Sequence, residues 1–413
     1  MMVQAKIFKY ISLEEALSLI DDHVKSVLPI EDVSLPEAYG RFLAEDITSK
    51  VDLPLRDVAH FDGYALRSID VTSASPRNPV KLRVKAKVYP STSKIEVVGP
   101  GEAVYITTGS LMPLNADGIL PVEASIVRDE HLEVKYAVKP GEHVIKAGSD
   151  VKRGELILRR GHRLRAQDLA LLALIGYGKV KAYSKPKVGI LPIGDELTDE
   201  YGEVRPGKIP CGHALMISSF VLRDGGTPLY LGITPDDVDL IAEAISKAAD
   251  SCDMILTISG ASKGEKDYVD HAISKIDEGK LVFHGVMTKP GRQTGFAIVK
   301  GKPMVMLPGL SHSTIVGYQL IAKRAMYRLM GLTVNEKPLK AVLASDLELP
   351  SPKGFKRIIF MRVEERGECY LAWPIRGESA LVSIPVRAYG YTIFNEGVEN
   401  VREGSIINVY PLC

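Results

Sequence analysis

Cysteine is scarce in this sequence: four of the 413 residues are cysteines, and no two of them form a C-x-x-C pair. This scarcity excludes a small scaffold held together by disulfides, and it provides no zinc-knuckle spacing. Few, scattered cysteines are typical of proteins in a reducing compartment. We therefore expect a soluble protein of the cytoplasm.

An excess of charge and a long apolar run are missing as well. Lysine and arginine number 52 against 51 aspartates and glutamates, so the formal net charge is +1. A balanced chain is not drawn as a whole to nucleic acid or to an acidic membrane, and we expect neither as a partner. The strongest apolar run, residues 169–175, is too short to span a bilayer. The N-terminal segment leads into an amphipathic helix and lacks the pattern of a signal peptide.

The composition is that of a globular protein, with 46% hydrophobic and 25% charged residues. At roughly 100–200 residues per domain, the length implies two to four domains. Changes of pattern predict four: a helix-bearing domain from 1–50 and 139–184, an inserted β-rich domain from 51–138, an α/β domain from 185–335, and a C-terminal β domain from 336–413.

Local patterns predict the elements of the first two domains. Ser12 and Glu15 have the S-x-x-E spacing of a capping box and begin the first helix. A second short helix is predicted from Pro36 toward Ala44. Alternating residues predict strands at 81–88, 94–98, 103–107 and 132–138, and a helical pattern covers 165–175.

Strands and helices alternate in the third domain. Strands are predicted at 188–192, 229–233, 254–258, 281–283, 296–299 and 304–307, with helices at 214–222, from the segment 234–237, from about 267, and at 314–330. This alternation predicts a largely parallel sheet, which binds its ligand outside the carboxyl ends of the strands. Further short strands at 340–344, 357–363, 370–373 and 406–410 form the last domain.

The loops that follow these strands carry the candidate ligand-binding residues. The segment 259–264 has small residues next to a helix start, where backbone amides bind anions, although a tight turn explains it equally well. Asp195, Glu196 and Asp267 offer the oxygen ligands that Mg²⁺ takes, whereas an acid such as Asp267 at a helix start is also an ordinary dipole partner.

A basic turn and a proline-glycine turn follow two later strands. Lys289-Pro290-Gly291-Arg292 suits a doubly charged oxyanion, and its alternative is a solvated loop. Pro308-Gly309 is consistent with simple turn chemistry. No G-x-S-x-G elbow or H-x-x-x-H spacing supports nucleophilic or zinc chemistry. Cys211 is interpreted as a buried, inert thiol.

Taken together, the segments resemble one family over nearly the whole chain. The ordered motifs are Asp62-Gly63-Tyr64-Ala65, Ile106-Thr107-Thr108-Gly109, Gly148-Ser149-Asp150, Gly194-Asp195-Glu196-Leu197, the run 259–264 with Asp267-Tyr268, Lys289-Pro290-Gly291 and Leu307-Pro308-Gly309. The sequence is similar to the MoeA family, the molybdopterin molybdotransferases of molybdenum or tungsten cofactor synthesis, which are related to the E domain of gephyrin.

The resemblance implies a fold and a reaction. The third domain would be MogA-like and the last β-barrel-like, and two chains would form a homodimer whose cleft lies between the α/β domain of one chain and the domains of the other that carry Asp62 and Thr108. The implied reaction inserts molybdate or tungstate into adenylylated molybdopterin and releases AMP, with Mg²⁺ assisting. A MogA/MoaB-type adenylyltransferase is an implied partner.

The resemblance also assigns roles to residues. Those implied to be catalytic are Asp62, Thr108, Asp150, Asp267 and Lys289. Those implied to bind the pterin, its phosphate or the oxyanion are Gly194, Asp195, Glu196, Ser259, Gly260, Ser262, Arg292, Pro308, Gly309 and Ser379. Glu196 and Asp267 would hold the metal.

Several positions depart from the usual pattern of the family. His60-Phe61 replaces Ala-Met, Cys211 replaces an aspartate, Gly285 replaces a lysine found in some members, and Leu310 replaces an asparagine. The alternative to a working enzyme is therefore a paralogue that binds molybdopterin as a carrier or scaffold.

Overall fold

A computed structural model describes residues 10–25, 28–202, 205–259, 268–334, 336–350 and 353–412. The chain forms two compact units, and we call Glu31–Ala182 the small unit, and Met1–Ile30 together with Tyr183–Cys413 the large unit. Within the described ranges, none of the helices has the length and apolar character needed to cross a membrane.

The small unit is built on a six-stranded sheet. In spatial order its strands are Gly118–Pro121, Gly63–Leu66, Glu102–Ile106, Val80–Val88, His131–Val134 and Ile126–Arg128. Two-stranded ladders join Ile30–Ser34 to Lys179–Tyr183, Ile47–Thr48 to Leu156–Leu158, and Val58–Ala59 to Val144–Ile145. One α-helix, Ala166–Leu174, and the short 3₁₀ turns Leu35–Glu37, Ser68–Val71 and Val122–Ala124 complete the described elements of this unit.

Alternating side chains give the small unit separate cores. Tyr64 and Leu66 face one side of the sheet, whereas Ala65 faces the other, as the two-residue period of a strand requires. A further core packs residues from 33–47 against residues from 164–182. The first of these segments precedes the strands of the six-stranded sheet in the sequence, and the second follows them.

The large unit contains a second six-stranded sheet. Its strands, numbered here along this unit, are β1 Lys187–Pro192, β2 Thr227–Tyr230, β3 Met254–Ile258, β4 Gly279–His284, β5 Gly295–Val299 and β6 Lys302–Leu307. The spatial order is β2-β1-β3-β6-β5-β4, with the first four strands parallel and β5 antiparallel to both of its neighbours. The strand order reverses between β1 and β3, the place where such sheets bind ligands.

Helices cover this sheet. They are Gly212–Arg223, Val238–Ser251, Tyr268–Lys275 and Ser311–Gly317, the last continuing through the π turn Tyr318–Ala322 into Lys323–Leu329, on which the helix Leu13–His23 packs. The helix Ser311–Gly317 is called the Ser311 helix below. Ile241 and Ile245 of one helix and Ile273 of another pack on Leu191 and Met306 of the sheet, forming a continuous core.

The C-terminal part of the large unit is a closed barrel of five strands. These are β7 Leu339–Leu343, β8 Lys356–Arg366, β9 Cys369–Pro374, β10 Gly390–Phe394 and β11 Ile406–Pro411. The order β8-β9-β7-β11-β10 closes because β10 also pairs with β8. Smaller elements are the pairs Leu197–Thr198 with Ile209–Pro210 and Leu347–Glu348 with Asn400–Val401, the helix Ser383–Arg387, and Thr288–Lys289, which pairs with β8. The α/β sheet and the barrel confirm the predicted fold class.

Helix starts test the capping predictions. Ser12 caps the first helix and its hydroxyl accepts the Glu15 N–H at 3.0 Å, as predicted. The start predicted at Thr234-Pro235 is wrong, because Asp237 caps the helix Val238–Ser251 and accepts the N–H groups of the next turn. Thr234 instead forms a bridge to Ile193 beside the sheet.

Three other element predictions are wrong in extent. The helix predicted after Pro36 is only the 3₁₀ turn Leu35–Glu37, because Gly40 turns the chain with φ +73°. The predicted strand at 94–98 is reduced to a single bridge between Val97 and Leu114. The segment predicted at 229–233 lies earlier, at Thr227–Tyr230.

A buried carboxylate ties down the helix of the small unit. Asp168 accepts the backbone N–H of Arg165 at 2.8 Å and its Nη2 at 2.9 Å, and His162 Nε2 lies 2.6 Å away. Burial would raise the pKa of Asp168, but the bonds from Arg165 and His162 outweigh burial and hold that pKa well below its usual 3.8. The carboxyl is therefore ionised in the folded protein.

We expect Asp168→Asn to destabilise the protein more at pH 7 than at pH 3. A carboxyl with a lowered folded-state pKa stabilises fully above the unfolded-state pKa, and loses this contribution as the pH falls through the folded-state pKa. Asparagine lacks the contribution at both pH values. Urea unfolding at the two pH values measures the difference, with the exposed Asp129→Asn as control. Equal losses at both pH values would contradict the assignment.

Candidate functional site

The loops that carry the predicted ligand-binding residues leave one edge of the α/β sheet. Pro192 at the end of β1 aligns with Ile258 at the end of β3, and Ile258 aligns with Leu307 at the end of β6. Strand β4 also ends at this edge, since it pairs antiparallel with β5, which pairs antiparallel with β6. We call this the strand-end edge.

The loop after β1 presents a free carboxylate. The Gly194 N–H bonds the carbonyl of Thr234 at 3.0 Å, and a Cβ at position 194 would lie 2.7 Å from Glu196 Oε2. Glycine therefore lets the Glu196 carboxylate fold back over the loop. Asp195 Oδ1 accepts the Asp236 N–H at 3.3 Å. Glu196 is exposed, and no partner of its carboxylate lies among the residues that the structure describes.

Four of the predicted residues lie near the start of the Ser311 helix: Ser259, Pro308, Gly309 and Ser379. Ser259 donates its N–H to the Leu307 carbonyl at 3.0 Å, and a Cβ on Gly309 would lie 2.8 Å from Ser259 Oγ. The carbonyl of Ser379, from the barrel, accepts the His312 N–H at 3.1 Å. Gly309 is needed because any side chain there would displace Ser259. Pro308 is buried beside it and its carbonyl accepts the Thr314 hydroxyl.

Gly260, Ser262 and Asp267 lie outside the described residues. Their predicted roles in binding the pterin and the metal stay predictions.

The basic turn after β4 packs on the same helix. Gly291 donates its N–H to Ser313 Oγ at 3.3 Å, and Thr294 Oγ1 donates to the Gly291 carbonyl at 2.8 Å. Lys289 and Arg292 are exposed, and in the described part of the chain neither pairs with a carboxylate. Their charge is therefore available to an anionic ligand.

Sequence reasoning missed a third cation, Arg357. The parallel pairing of Thr288–Lys289 with β8 places Arg357 in register with Lys289. Burial lowers the pKa of the Arg357 guanidinium, and its Nε has no hydrogen-bond partner among the described atoms. A partly desolvated arginine of this kind is a ready partner for a carboxylate or phosphate. Only the long-range strand pairing reveals it.

Two departures from the family pattern have structural explanations. Gly285 has φ +116°, and a Cβ there would lie 2.8 Å from Cδ1 of Tyr10, whose ring contacts Phe355 edge-on at 5.4 Å. A lysine does not fit at position 285 in this packing. Cys211 is buried at the start of the helix Gly212–Arg223, and burial raises the pKa of its thiol, which fits the predicted inert role.

The small unit presents a carboxylate fixed by a threonine. Asp62 Oδ1 accepts the Thr108 N–H at 2.7 Å and the Thr108 hydroxyl at 2.8 Å. The two residues meet because Gly63 and Ile106 are partners in adjacent antiparallel strands. The Thr108 N–H and then its hydroxyl lower the pKa of Asp62, which keeps the exposed carboxylate ionised. We call this the Asp62–Thr108 pair.

In the described part of the small unit, Asp150 shares no hydrogen bond with the Asp62–Thr108 pair. Its N–H bonds the Leu53 carbonyl at 3.0 Å, in a turn where Gly148 has φ +66°. The Asp150 side chain is exposed, and no hydrogen bond within the described part of the small unit joins it to Asp62 or Thr108.

The side chains that could coordinate a metal determine whether the site can hold the predicted Mg²⁺. The described residues contain no group of three or more His, Cys, Asp or Glu side chains arranged to hold a metal. Mg²⁺ is commonly held by one or two carboxylates together with substrate phosphates and water. The free carboxylate of Glu196 fits that requirement.

Known proteins resemble the chain over most of its length. Two family models match, "MoeA N-terminal region (domain I and II)" over residues 11–176 and "Probable molybdopterin binding domain" over residues 189–328. The molybdopterin molybdenumtransferase of Bacillus subtilis is 30% identical over 388 residues, 92% of this chain and 89% of that protein. That of Staphylococcus aureus is 30% identical over 353 residues, 84% of this chain and 83% of that protein. The crystal structure of the molybdopterin biosynthesis moeA protein from Pyrococcus horikoshii OT3 has a TM-score of 0.81 at 32% identity, covering 97% of this chain and 100% of that chain.

Proposed function

The chain belongs to the MoeA family, and we propose on that basis that it inserts molybdate or tungstate into adenylylated molybdopterin, releasing AMP. The observation that carries the proposal is the meeting of Ser259, Gly309 and the basic turn at the strand-end edge. A substrate with a pterin, phosphates and an incoming oxyanion needs both close backbone approach and fixed positive charge.

Each of the three cations has a proposed anionic partner. Arg357 and Lys289 are register partners, and we assign them jointly to the oxyanion or phosphate. Arg292 lies in the same turn as Lys289 and offers a fork of donors to a phosphate. The backbone of this turn is already fixed on the Ser311 helix, which limits the reorganisation that Lys289 and Arg292 need during the reaction.

Glu196 and Asp267 are the proposed Mg²⁺ ligands. When bound, Mg²⁺ would neutralise negative charge on the phosphate oxygens. Glu196 is suited to this role because its carboxylate is exposed and has no partner in the described part of the chain. Asp195 is proposed to hold the loop through the Asp236 N–H, leaving Glu196 to the ligand.

The Asp62–Thr108 pair is proposed to position the substrate. An ionised carboxylate accepts hydrogen bonds from N–H donors, and the lowered pKa of Asp62 keeps it in that state. The resemblance implies that Asp62, Thr108 and Asp150 act on substrate held by the partner chain of a homodimer. Sedimentation of the purified chain tests the dimer. Because AMP is the leaving group, an adenylylating enzyme of the MogA/MoaB type must supply the substrate.

A carrier or scaffold without turnover is the less favoured alternative. It would need a pterin cleft but no free carboxylate beside it. The exposed Glu196 and the cations at Lys289 and Arg357 favour a site that handles an oxyanion and a metal. The curated relatives reported above are named transferases.

We expect the purified protein to release AMP from adenylylated molybdopterin when Mg²⁺ and molybdate or tungstate are supplied. Glu196→Gln should raise the Mg²⁺ concentration needed for half-maximal release by at least roughly tenfold, the loss typical when a group supporting a metal is removed. Glutamine keeps the size of the side chain and removes its charge. Chromatographic measurement of AMP over a Mg²⁺ titration checks the result.

Glu243→Gln is the matched control, because this exposed residue pairs only with Lys247, on a surface helix, among the residues that the structure describes. It should leave the Mg²⁺ dependence unchanged. Tight binding of adenylylated molybdopterin without AMP release for either oxyanion would reject the enzyme and favour the carrier.

A further inference from the structure

Three rings of the small unit form one exposed aromatic cluster. His60 and Phe61 are stacked, with ring centroids 4.5 Å apart, and the ring of His143 meets Phe61 edge-on at 5.0 Å. Phe61 remains 45% exposed although both rings contact it. The rings are thus packed on one another without being buried in a core.

Backbone pairing fixes the cluster. The His60 N–H bonds the His143 carbonyl at 3.0 Å, next to the ladder that joins Val58–Ala59 to Val144–Ile145. His143 has φ +60°, a conformation that side chains seldom adopt and that aims its ring at Phe61 only at some conformational cost. Rings that already pack on one another lose less freedom when a ligand stacks on them than separate rings would.

The cluster directly adjoins the Asp62–Thr108 pair. Phe61 directly precedes Asp62 in the sequence. The Cα atoms of the two residues are therefore about 3.8 Å apart. Thr108 holds Asp62 Oδ1 through two hydrogen bonds and leaves Oδ2 without a partner in the described part of this unit. A ligand that stacks on Phe61 and donates to Asp62 Oδ2 would therefore contact two consecutive residues of the segment between Val58–Ala59 and Gly63–Leu66.

We propose that Phe61, with His60 and His143, is the stacking surface for a fused nitrogen heterocycle of the substrate, whose N–H donors bind Asp62. The inference rests on the proposed function, which supplies two rings of this chemistry, the adenine and the pterin. Stacking on an aromatic side chain tolerates either ring because both present a flat π face.

Titration of the full chain with small probes tests the assignment without turnover. The probes are AMP, 6-carboxypterin, and ribose 5-phosphate, which lacks a ring system of this kind. Phe61→Leu keeps apolar bulk and removes the ring, whereas Phe61→Tyr keeps the ring. We expect Phe61→Leu to weaken binding of at least one ring-bearing probe about 5- to 150-fold, and Phe61→Tyr to stay within about twofold of the unmodified chain.

The pattern of losses identifies the ring. A loss for AMP alone assigns the adenine, and a loss for 6-carboxypterin, with its fluorescence no longer quenched on binding, assigns the pterin. Ribose 5-phosphate should bind equally to all variants. If Phe61→Leu binds both ring probes as the unmodified chain does, or if the unmodified chain binds neither, the proposal is overturned. If the chain releases no AMP but still binds a probe in a way that depends on the Phe61 ring, the proposed function is rejected and the stacking proposal stands.

Discussion

We expect Asp224→Ala to lower the free energy of unfolding of the large unit by about 3–5 kcal/mol, the loss typical when a buried ion pair is left with one partner. Asp224 is 3% exposed. Its carboxylate lies 2.6 Å from Arg223 Nη2 and 3.4 Å from Lys323 Nζ, and accepts the Tyr318 hydroxyl at 3.1 Å. Alanine would leave both cations without this partner in a poorly solvated place.

The bonds of this network extend into the barrel. Arg223 also donates to the Leu412 carbonyl just after β11, and Lys323 also pairs with Glu336. Burial, followed by the charge of Asp224, raises the pKa of Tyr318 well above its ordinary value, so the phenol stays a neutral donor. Asp224 therefore links two helices of the α/β part to the end of the chain.

Urea unfolding followed by tryptophan fluorescence checks this expectation. Trp373 is the only tryptophan of the sequence and lies in β9, so its signal reports the large unit. Glu243→Ala, which removes an exposed partner of Lys247, should cost only about 0.5 kcal/mol. Adding Lys323→Met to Asp224→Ala should recover part of the loss, because the double variant removes one of the two cations that would otherwise share the remaining carboxylate, Glu336. A loss below about 1 kcal/mol for Asp224→Ala would contradict the importance of the network.

Local pattern was sufficient to predict which loops form the strand-end edge. The strand Met254–Ile258 is buried along its whole length, and so is most of β6, and such short apolar runs between turn residues are readable in sequence. Parallel pairing then follows from the alternation with helices. Because parallel strands end at one edge, the positions of Glu196, Ser259 and Gly309 followed from the pattern alone.

The pairing of strands that are distant along the chain could not be predicted from the sequence. Arg357 joins the site only because Thr288–Lys289 pairs with a barrel strand, and register between distant strands depends on packing that no local pattern encodes. The strand Gly390–Phe394, which closes the barrel, was missed altogether. Likewise, the exclusion of a side chain at Gly285 depends on Tyr10, far away in the chain.

The start of the helix Val238–Ser251 shows a different limit of prediction from sequence. Thr234-Pro235 and Asp237 are both good helix-start signals, three residues apart or fewer. The bridge between Thr234 and Ile193 decides between them, because it holds Thr234 in an extended conformation at the end of the sheet. Asp237 is then the first residue free to cap the helix. Local signals thus narrow a helix start, and a tertiary contact selects it.

We expect Lys289→Met to reduce kcat/KM for AMP release by about 10²–10³, the cost of removing one fixed group that stabilises developing charge. Lys289 is exposed and unpaired within the described part of the chain, and its turn is fixed by bonds from Gly291 and Thr294. Methionine keeps an unbranched side chain, one atom shorter, and removes the charge. Initial rates of AMP release at varied molybdate and substrate concentrations measure the effect.

Two further variants decide whether the loss is specific. Lys247→Met removes a surface ammonium whose one carboxylate partner in the described ranges is Glu243, and it should leave kcat/KM unchanged. If Lys289 and Arg357 hold one anion, Lys289→Met combined with Arg357→Met should lose less than the product of the two separate losses, because groups that act as a unit are not additive. Multiplicative losses would assign the two cations to different parts of the substrate. A kcat/KM of Lys289→Met within twofold of the unmodified enzyme would remove the basic turn from the mechanism.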